Sequence, residues 1–437
     1  MLRPTRGLVV GDTTLLGGTP RRLLRLTREG AAVARSLLAG EPAMSEAARA
    51  LGRRLLDAGH ARSYPPGGER PSVTVVVPVR DRDLTACLDA LGDRDPVIVV
   101  DDGSVVPVRI DRPWVTVLRH DVSRGPAAAR NTGLDLATTE IVACVDSDVV
   151  VSPGWLDPLL THFADPAVAA AAPRVRPLVD PAGPSTALNR YLAARSPLDL
   201  GADDVPVRPG SPVAYVPSAA LVLRRTAGRF DETLRVGEDV DLVWRLVAAG
   251  HTVRYEPAVA VAHREPSTWG KALHRRHVYG RSAGPLAARH PESLTHLRAG
   301  PLPLATATAT MFAPPVAAVA IAVVATAGTA QRLHRAGVGG RAAALLAAGA
   351  TGHTVLALGR WLTLAGGPVA LVAAVRRPRL AVGLVAPLLY DRWRRQAELD
   401  PVRFVAAALG DDLAYASGVW RGVLRSRDVR PIVPRWR

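Results

Sequence analysis

Residues 73–145 are dominated by short, unbroken apolar runs separated by acidic and glycine-rich turns. Val73-Thr74-Val75-Val76-Val77, Val97-Ile98-Val99-Val100, Val115-Thr116-Val117-Leu118 and Ile141-Val142-Ala143-Cys144-Val145 are rich in β-branched residues and too short for helices. They predict buried strands. Helical spacing fills the intervals. Leu84, Cys87, Leu88 and Leu91 follow the first strand, and Gly125-Pro126 opens a helix through Ala129, Leu134 and Leu136. Strands alternating with helices predict an α/β domain with a mainly parallel sheet covered on both faces.

The pattern changes on either side. Residues 1–66 predict a small winged-helix-like module. A hairpin signal at Gly11-Asp12 lies between Gly7-Leu8-Val9-Val10 and Thr14-Leu15-Leu16. One helix follows, capped by Thr27, with a stripe of Leu26, Gly30, Val33 and Leu37; a second runs over about 45–58 with Leu51, Leu55 and Leu56 on its face. Tyr64-Pro65-Pro66-Gly67-Gly68 reads as a linker. Past residue 299 the chain turns apolar. Met311 to Ala330 is uncharged and twenty residues long, enough to span a bilayer, and residues 342–375 form a second apolar stretch. The basic loop with Arg332, Arg335 and Arg341 opposes a single crossing from the cytoplasm. A re-entrant or interfacial arrangement and a buried bundle both remain open. The tail, with Leu413, Val419, Trp420 and Val423 beside Arg421, Arg425 and Arg427, predicts an amphipathic interfacial helix.

At 437 residues the chain has room for two to three domains. Net charge is +16, and with one lysine, Lys271, the basicity is almost all arginine. Charge alone does not choose among anionic lipid, phosphorylated substrate and nucleic acid, but no exposed recognition helix is evident, so no nucleic-acid partner is expected. Cys87 and Cys144 sit inside apolar patterns, which excludes a disulfide framework and a cysteine zinc site. Met1-Leu2-Arg3-Pro4 carries no long apolar stretch, so a cytoplasmic catalytic domain is expected.

The candidate chemistry starts at Asp146-Ser147-Asp148, directly after the fourth strand. Strand ends are where open α/β sheets hold ligands. Two carboxylates there offer hard oxygen ligands to a divalent cation, which can in turn hold a diphosphate. Further on, Gly237-Glu238-Asp239-Val240-Asp241 opens a helix with an acidic first turn. His263 closes the apolar run 259–262. The basic, helical stretch 269–282 contains Arg275 and Arg276.

Four blocks together carry a family resemblance: Val77-Pro78-Val79-Arg80, Val100-Asp101-Asp102-Gly103-Ser104, 125–133 with Arg130, and Asp146-Ser147-Asp148. Their order and spacing resemble glycosyltransferase family 2, which implies the GT-A fold over about 72–290 and inverting sugar transfer from a nucleotide donor. The resemblance makes Asp239 the catalytic base and Asp148 the metal ligand, with His263 as a further ligand of Mg2+ or Mn2+. It also implies that Asp101 accepts from a uracil N–H and that Arg130 lies near the base or phosphates. Asp146 would reach ribose or sugar, and Pro78, Arg80, Asp102 and Glu238 would line the donor site. Arg275 or Arg276 would clamp the diphosphate. The Gln-x-x-Arg-Trp pattern of processive members is not found, which opposes long-polymer synthesis.

The layout of a small front module, a family 2 core and an alanine-rich rear is similar to the mycofactocin-system branch of that family. So is the wording of residues 237–246. This implies UDP-glucose as donor and the peptide-derived cofactor mycofactocin as acceptor, extended by β-1,4-linked glucose. The expected domains are 1–66, 72–290, an apolar region 299–392 and a basic tail 393–437, with contact to the inner face of the membrane. A lipid-linked or cell-wall acceptor is the alternative, and a non-enzymatic binding protein is a third reading.

Overall fold

The computed structural model describes residues 2–5, 8–18, 22–63, 69–178, 186–294 and 296–436. Gly7 and the expected linker at 64–68 lie outside the described residues. The chain forms two compact units, Met1–Gly183 with Ser196–Glu265, and Pro184–Arg195 with Pro266–Arg437.

The first unit begins with the small module. β1 (Leu2–Pro4), β2 (Val9–Val10), β3 (Thr14–Gly17) and β4 (Arg22–Arg25) precede α1 (Arg28–Leu38), α2 (Glu46–Asp57) and β5 (Ala61–Ser63). β2, β3 and β4 form an antiparallel sheet, and β1 pairs with β5. Thr27 caps α1 by accepting from the Gly30 N–H at 3.0 Å, and Ser45 caps α2 in the same way from Ala48 at 3.1 Å. The buried stripe of α1 is Ala31, Ala34 and Leu37, not the expected Gly30 and Val33. Leu37 of α1 packs over Gly52 of α2, where a Cβ would sit 3.8 Å from Leu37 Cδ1. The β4 strand was not expected, because Leu23-Leu24 between two arginines is too short to show a period.

The catalytic-type core follows: β6 (Val73–Val79), α3 (Thr85–Leu91), β7 (Val97–Asp101), β8 (Val115–Arg119), α4 (Pro126–Leu136), β9 (Ile141–Val145), β10 (Val149–Val150), α5 (Leu156–Leu160) and β11 (Val168–Pro177). The helix α6 (Ala187–Arg195) belongs to the second unit, after which the core resumes with β12 (Ala220–Arg224), α7 (Glu238–Ala248) and β13 (Thr252–His263). One eight-stranded sheet runs β10-β13-β11-β12-β9-β6-β7-β8. β6, β7, β8 and β9 are mutually parallel, and β12 runs against both β9 and β11. β13 is parallel to β11. The carboxyl ends of β6, β7, β9 and β13 and the amino end of β12 therefore share one sheet edge.

The core strands are buried on both faces, as their unbroken apolar runs require. β11 was not anticipated: after Val168 the run 169–172 is all alanine, with no β-branched side chain, and alanine is a poor strand former. The apolar run 259–262 is the end of one long strand that begins before Pro257. Proline cannot donate to the ladder, and the pairing with β11 slips there, from Glu256 to Ala260.

α4 lies close on β6 because Gly133 has no side chain. A Cβ there would sit 2.3 Å from Val76 Cγ1, and a β-branched valine cannot move aside. Gly133→Ala is expected to lower stability by about 1–3 kcal/mol through overpacking, read as a fall in denaturation midpoint in urea.

The second unit is helical. α6 is joined by α8 (Trp269–Gly280), α9 (Ala283–Arg289), α10 (Pro301–Phe312), α11 (Pro315–Arg335), α12 (Gly340–Arg376), α13 (Pro378–Arg394) and α14 (Pro401–Ser426). Two short strands, β14 (Arg298–Ala299) and β15 (Arg435–Trp436), pair in parallel. α8 and α14 pack closely because Gly280 and Gly418 face each other's backbone. Arg195 is a buried hub, donating to Asp391, Asp411 and Asp412 at 2.9, 2.9 and 2.7 Å.

The twenty-residue span expected from Met311 is broken, since Pro314 and Pro315 end α10 and start α11. Two helices, Pro315–Arg335 and Gly340–Arg376, are long and apolar enough to cross a membrane. Val316, Val319, Val323 and Val324 of the first are exposed. The second is kinked at Gly367-Pro368. The tail helix α14 is not the expected interfacial helix, because Val419 and Val423 are buried against Ala283 and Leu364.

Candidate functional site

The shared sheet edge collects the acidic residues. The loop leaving β6 is tied to the loop leaving β7. Asp81 adopts a left-handed backbone (φ 50°), donates its N–H to Ser104 Oγ at 2.9 Å and accepts from the Val105 N–H at 2.7 Å. A non-glycine residue held in this region costs energy that its surroundings must offset. Pro78 is buried within β6, and Arg80 is exposed at the rim, donating to Ser123 Oγ at 2.9 Å.

Asp101 and Asp102 serve the loops. Asp101 is fully buried and accepts from the N–H groups of Ser104 and Val108 at 2.9 and 3.1 Å, and from Arg119. Burial opposes its ionisation, but these donors outweigh burial and hold its carboxyl below the usual range. The uracil contact expected of Asp101 would require breaking this set. Asp102 is likewise spent: it accepts from Ser123 Oγ at 2.7 Å, and from the Arg124 and Gly125 N–H groups at 2.8 Å each, and pairs with His120 at 2.8 Å. It thereby fixes Gly125, whose φ of 99° delivers the chain into α4. Its carboxyl too lies below the usual range, since these donors outweigh the cost of burial.

α4 carries Arg130 to the middle of the edge. The guanidinium is buried and donates to Asp146 Oδ1 at 2.6 Å and to Glu238 Oε1 at 2.9 Å, with its face 5.4 Å from the centre of the Phe230 ring. Desolvation works against this charge, but the two carboxylates outweigh it and raise the Arg130 pKa further. The neighbouring Asn131 bonds both the N–H and the carbonyl of Phe230. Together they fasten α4 to the segment that leads into α7.

Gly237, at φ 83°, turns the chain into α7 and leaves Asp239 half-buried beside Glu238. Its carboxylate accepts from the Ser218 N–H at 3.3 Å, just before β12, and from the Val240 N–H at 2.8 Å. Burial first, and then the adjacent Glu238 charge, push the Asp239 carboxyl up to about 7. A carboxylate so poised near neutrality can exchange a proton with a bound hydroxyl.

Asp148 and His263 meet across the β10–β13 pair, with Oδ1 3.4 Å from Nε2. The Nδ1 atom of His263 is buried without a hydrogen bond. The other oxygen of Asp148 pairs with Arg82. Among the described residues no group of three His, Cys, Asp or Glu side chains converges on one point. One carboxylate with one imidazole still fits a cation that draws its other ligands from phosphate oxygens and water.

Arg275 and Arg276 lie in the second unit. Arg276 pairs with Asp411 at 2.9 Å and stacks over Tyr415, so its guanidinium is already engaged there instead of waiting for a diphosphate. Cys87 and Cys144 are core thiols, both pushed up to about 12 by burial. Arg82 and Ser218 were not foreseen. Arg82 sits in no pattern, and Ser218 acts through its backbone N–H, which leaves no trace in residue type.

An acidic carboxyl edge on this mixed sheet is the arrangement of the GT-A glycosyltransferase fold. The chain belongs to glycosyltransferase family 2, whose model, glycosyl transferase family 2, matches residues 74–220. It is similar to the pre-mycofactocin glycosyltransferase of Mycobacterium tuberculosis, at 41% identity over 98% of this chain and 96% of that protein. It also resembles the succinoglycan biosynthesis protein ExoO of Rhizobium meliloti, 30% identical over 48% of this chain and 65% of that one. Among solved structures, the mannosyltransferase PcManGT from Pyrobaculum calidifontis, in complex with GDP-Man and Mn2+, is 20% identical with a TM-score of 0.38, covering 80% of this chain and 89% of that one.

Proposed function

We propose that the chain is an inverting glucosyltransferase that uses UDP-glucose to glycosylate a mycofactocin precursor, building a short β-1,4-linked oligosaccharide. The observation that carries the acceptor is the 41% identity to a pre-mycofactocin glycosyltransferase, which extends over nearly the whole of both chains and not only over the family core. The chemistry is supported by the Asp239 carboxyl, held near neutrality by burial and by Glu238.

In this reading Asp239 takes the proton from the acceptor hydroxyl as that oxygen attacks the anomeric carbon. A single displacement with a single base inverts that carbon; a retaining route through a covalent intermediate needs a nucleophile, and no candidate for one is assigned. Asp148 and His263 would hold a Mg2+ or Mn2+ ion, which when bound offsets the charge that gathers on the departing diphosphate. Arg130 holds Asp146 and Glu238 in position at the donor side. Arg80, exposed at the rim, is placed to meet the nucleotide. The exposed apolar faces of α11 and α12 support contact with the cytoplasmic face of a membrane.

The test is incubation with UDP-glucose and a mycofactocin precursor, followed by mass spectrometry. Successive hexose increments on the precursor are expected; transfer to lipid extract alone would favour a lipid-linked acceptor. EDTA is expected to abolish transfer and excess Mn2+ to restore it. Asp148→Ala is expected to weaken Mn2+ binding by about tenfold or more, measured by calorimetry. Full activity after chelation would remove Asp148 and His263 from this role.

A further inference from the structure

β13 ends at His263, and the backbone there is held from both sides. Val149 of β10 pairs with it, and the Leu178 N–H donates to the His263 carbonyl at 2.8 Å. One residue on, the Arg264 N–H donates to the Asp148 carbonyl at 2.9 Å. Glu265 then brings its carboxylate back to the same imidazole, with Oε1 4.0 Å from His263 Nδ1. Ser196 Oγ donates to that Oε1 at 2.5 Å and fixes where it lies. The side chains of His263 and Glu265 are each only 9% exposed.

The two ring nitrogens of His263 look in different directions. Nε2 faces Asp148 Oδ1 at 3.4 Å, so it is the nitrogen on the cation side. Nδ1 is buried and has no hydrogen bond. A buried polar atom left unsatisfied is rare in native proteins and calls for an explanation. The chemistry of a metal-binding imidazole supplies one. It ligates through a bare nitrogen, so its proton must sit on the other, and a carboxylate beside that other nitrogen fixes both the tautomer and the ring plane. Asp148 has less claim on the proton, because its second oxygen is already paired with Arg82. Among the described residues no three such side chains form a set that could hold an ion, so Glu265 acts on the imidazole and not on the ion itself.

We propose that Glu265 is a positioning residue for the cation site. It accepts from the His263 Nδ1–H, keeps Nε2 bare towards Asp148, and is itself anchored by Ser196. The separation of 4.0 Å is about 1 Å longer than a hydrogen bond, a gap that a small turn of the ring closes. The proposal rests on the reading of Asp148 and His263 as cation ligands, and the test separates the two.

The ring nitrogens of the metal-free full chain are read by nitrogen-15 NMR at pH 8, with the His263 signals assigned by their loss in His263→Asn. The proton is expected on Nδ1 in the parent, and that preference is expected to be lost in Glu265→Leu. Calorimetry without nucleotide is expected to show Mn2+ binding weakened by about tenfold or more in Glu265→Leu. Glu265→Gln keeps an oxygen that can accept from Nδ1–H, so it is expected to retain the tautomer and most of the affinity. A side chain that only filled space would lower the thermal midpoint and move neither reading. A parent ring with its proton on Nε2 would overturn the role of Glu265. So would parental Mn2+ affinity in Glu265→Leu beside weakened affinity in His263→Asn. Unchanged Mn2+ affinity in His263→Asn would overturn the ligand reading, and this proposal with it.

Discussion

Asp239→Asn is expected to lower turnover by about 10²–10⁴-fold, the contribution of a positioned general base, while UDP affinity by calorimetry stays within about twofold. The amide keeps an oxygen that can accept from the Ser218 or the Val240 N–H, so the start of α7 is retained. Its thermal midpoint at pH 8 is expected to be no lower than that of the parent. The sign follows from linkage. The Asp239 carboxyl titrates at about 7 in the fold, raised from 3.8, so the folded state binds its proton more tightly than the unfolded state does. Stability from that proton is fully present below the unfolded pKa and is lost as pH rises through about 7. Above that, the ionised carboxylate is a cost that the amide does not carry. The parent's kcat/KM is expected to fall about tenfold per pH unit below an acid limb near 7. A pH-independent kcat/KM between 5 and 8, or unchanged turnover in the variant, would remove Asp239 as the base.

What was legible in the sequence is what periodicity and strand ends control. Val97–Asp101 and Ile141–Val145 had to be buried strands, and alternation with helices put their acidic ends on one edge. The resemblance then ordered Asp101, Asp146, Asp148 and Asp239 along that edge. Residue type does not reveal whether a carboxylate is spent. Asp101 and Asp148 are both acids at strand ends, yet one is consumed by two backbone N–H groups and Arg119, while the other faces His263 and, among the described residues, pairs only with the exposed Arg82. That difference depends on how the loop folds back, which no local pattern encodes. Arg276 fails for the same reason in reverse. Its helix reads as basic, but Asp411, more than a hundred residues later, neutralises it. The alanine run of β11 forms a strand only because its neighbours β12 and β13 bury it, so tertiary context overrides propensity there.

Arg130→Met is expected to be the most destabilising single change at the site, by about 3–5 kcal/mol, because it leaves the buried Glu238 and the half-buried Asp146 without their countercharge. Arg130 is 3% exposed, and its guanidinium joins Asp146, after β9, to Glu238, at the start of α7. Arg130→Lys is not expected to rescue, since an ammonium is a point charge and cannot fork to two acids on separate elements. A second substitution should rescue in part. Glu238→Gln removes one of the stranded charges, so the double variant is expected to recover about 1–3 kcal/mol relative to additivity in a urea-denaturation cycle. The loss also reaches the proton chemistry. Arg130 lowers the Asp239 pKa, opposing burial and Glu238, so removing it raises the carboxyl further. The acid limb of any residual activity is then expected to shift to higher pH, and in the double variant to return toward the parent's value as the repulsion from Glu238 disappears. A residue that only contacted the donor would lower UDP affinity and leave both the limb and the cycle unmoved. A shifted limb together with a large coupling energy would identify Arg130 as the link that sets the charge at the base.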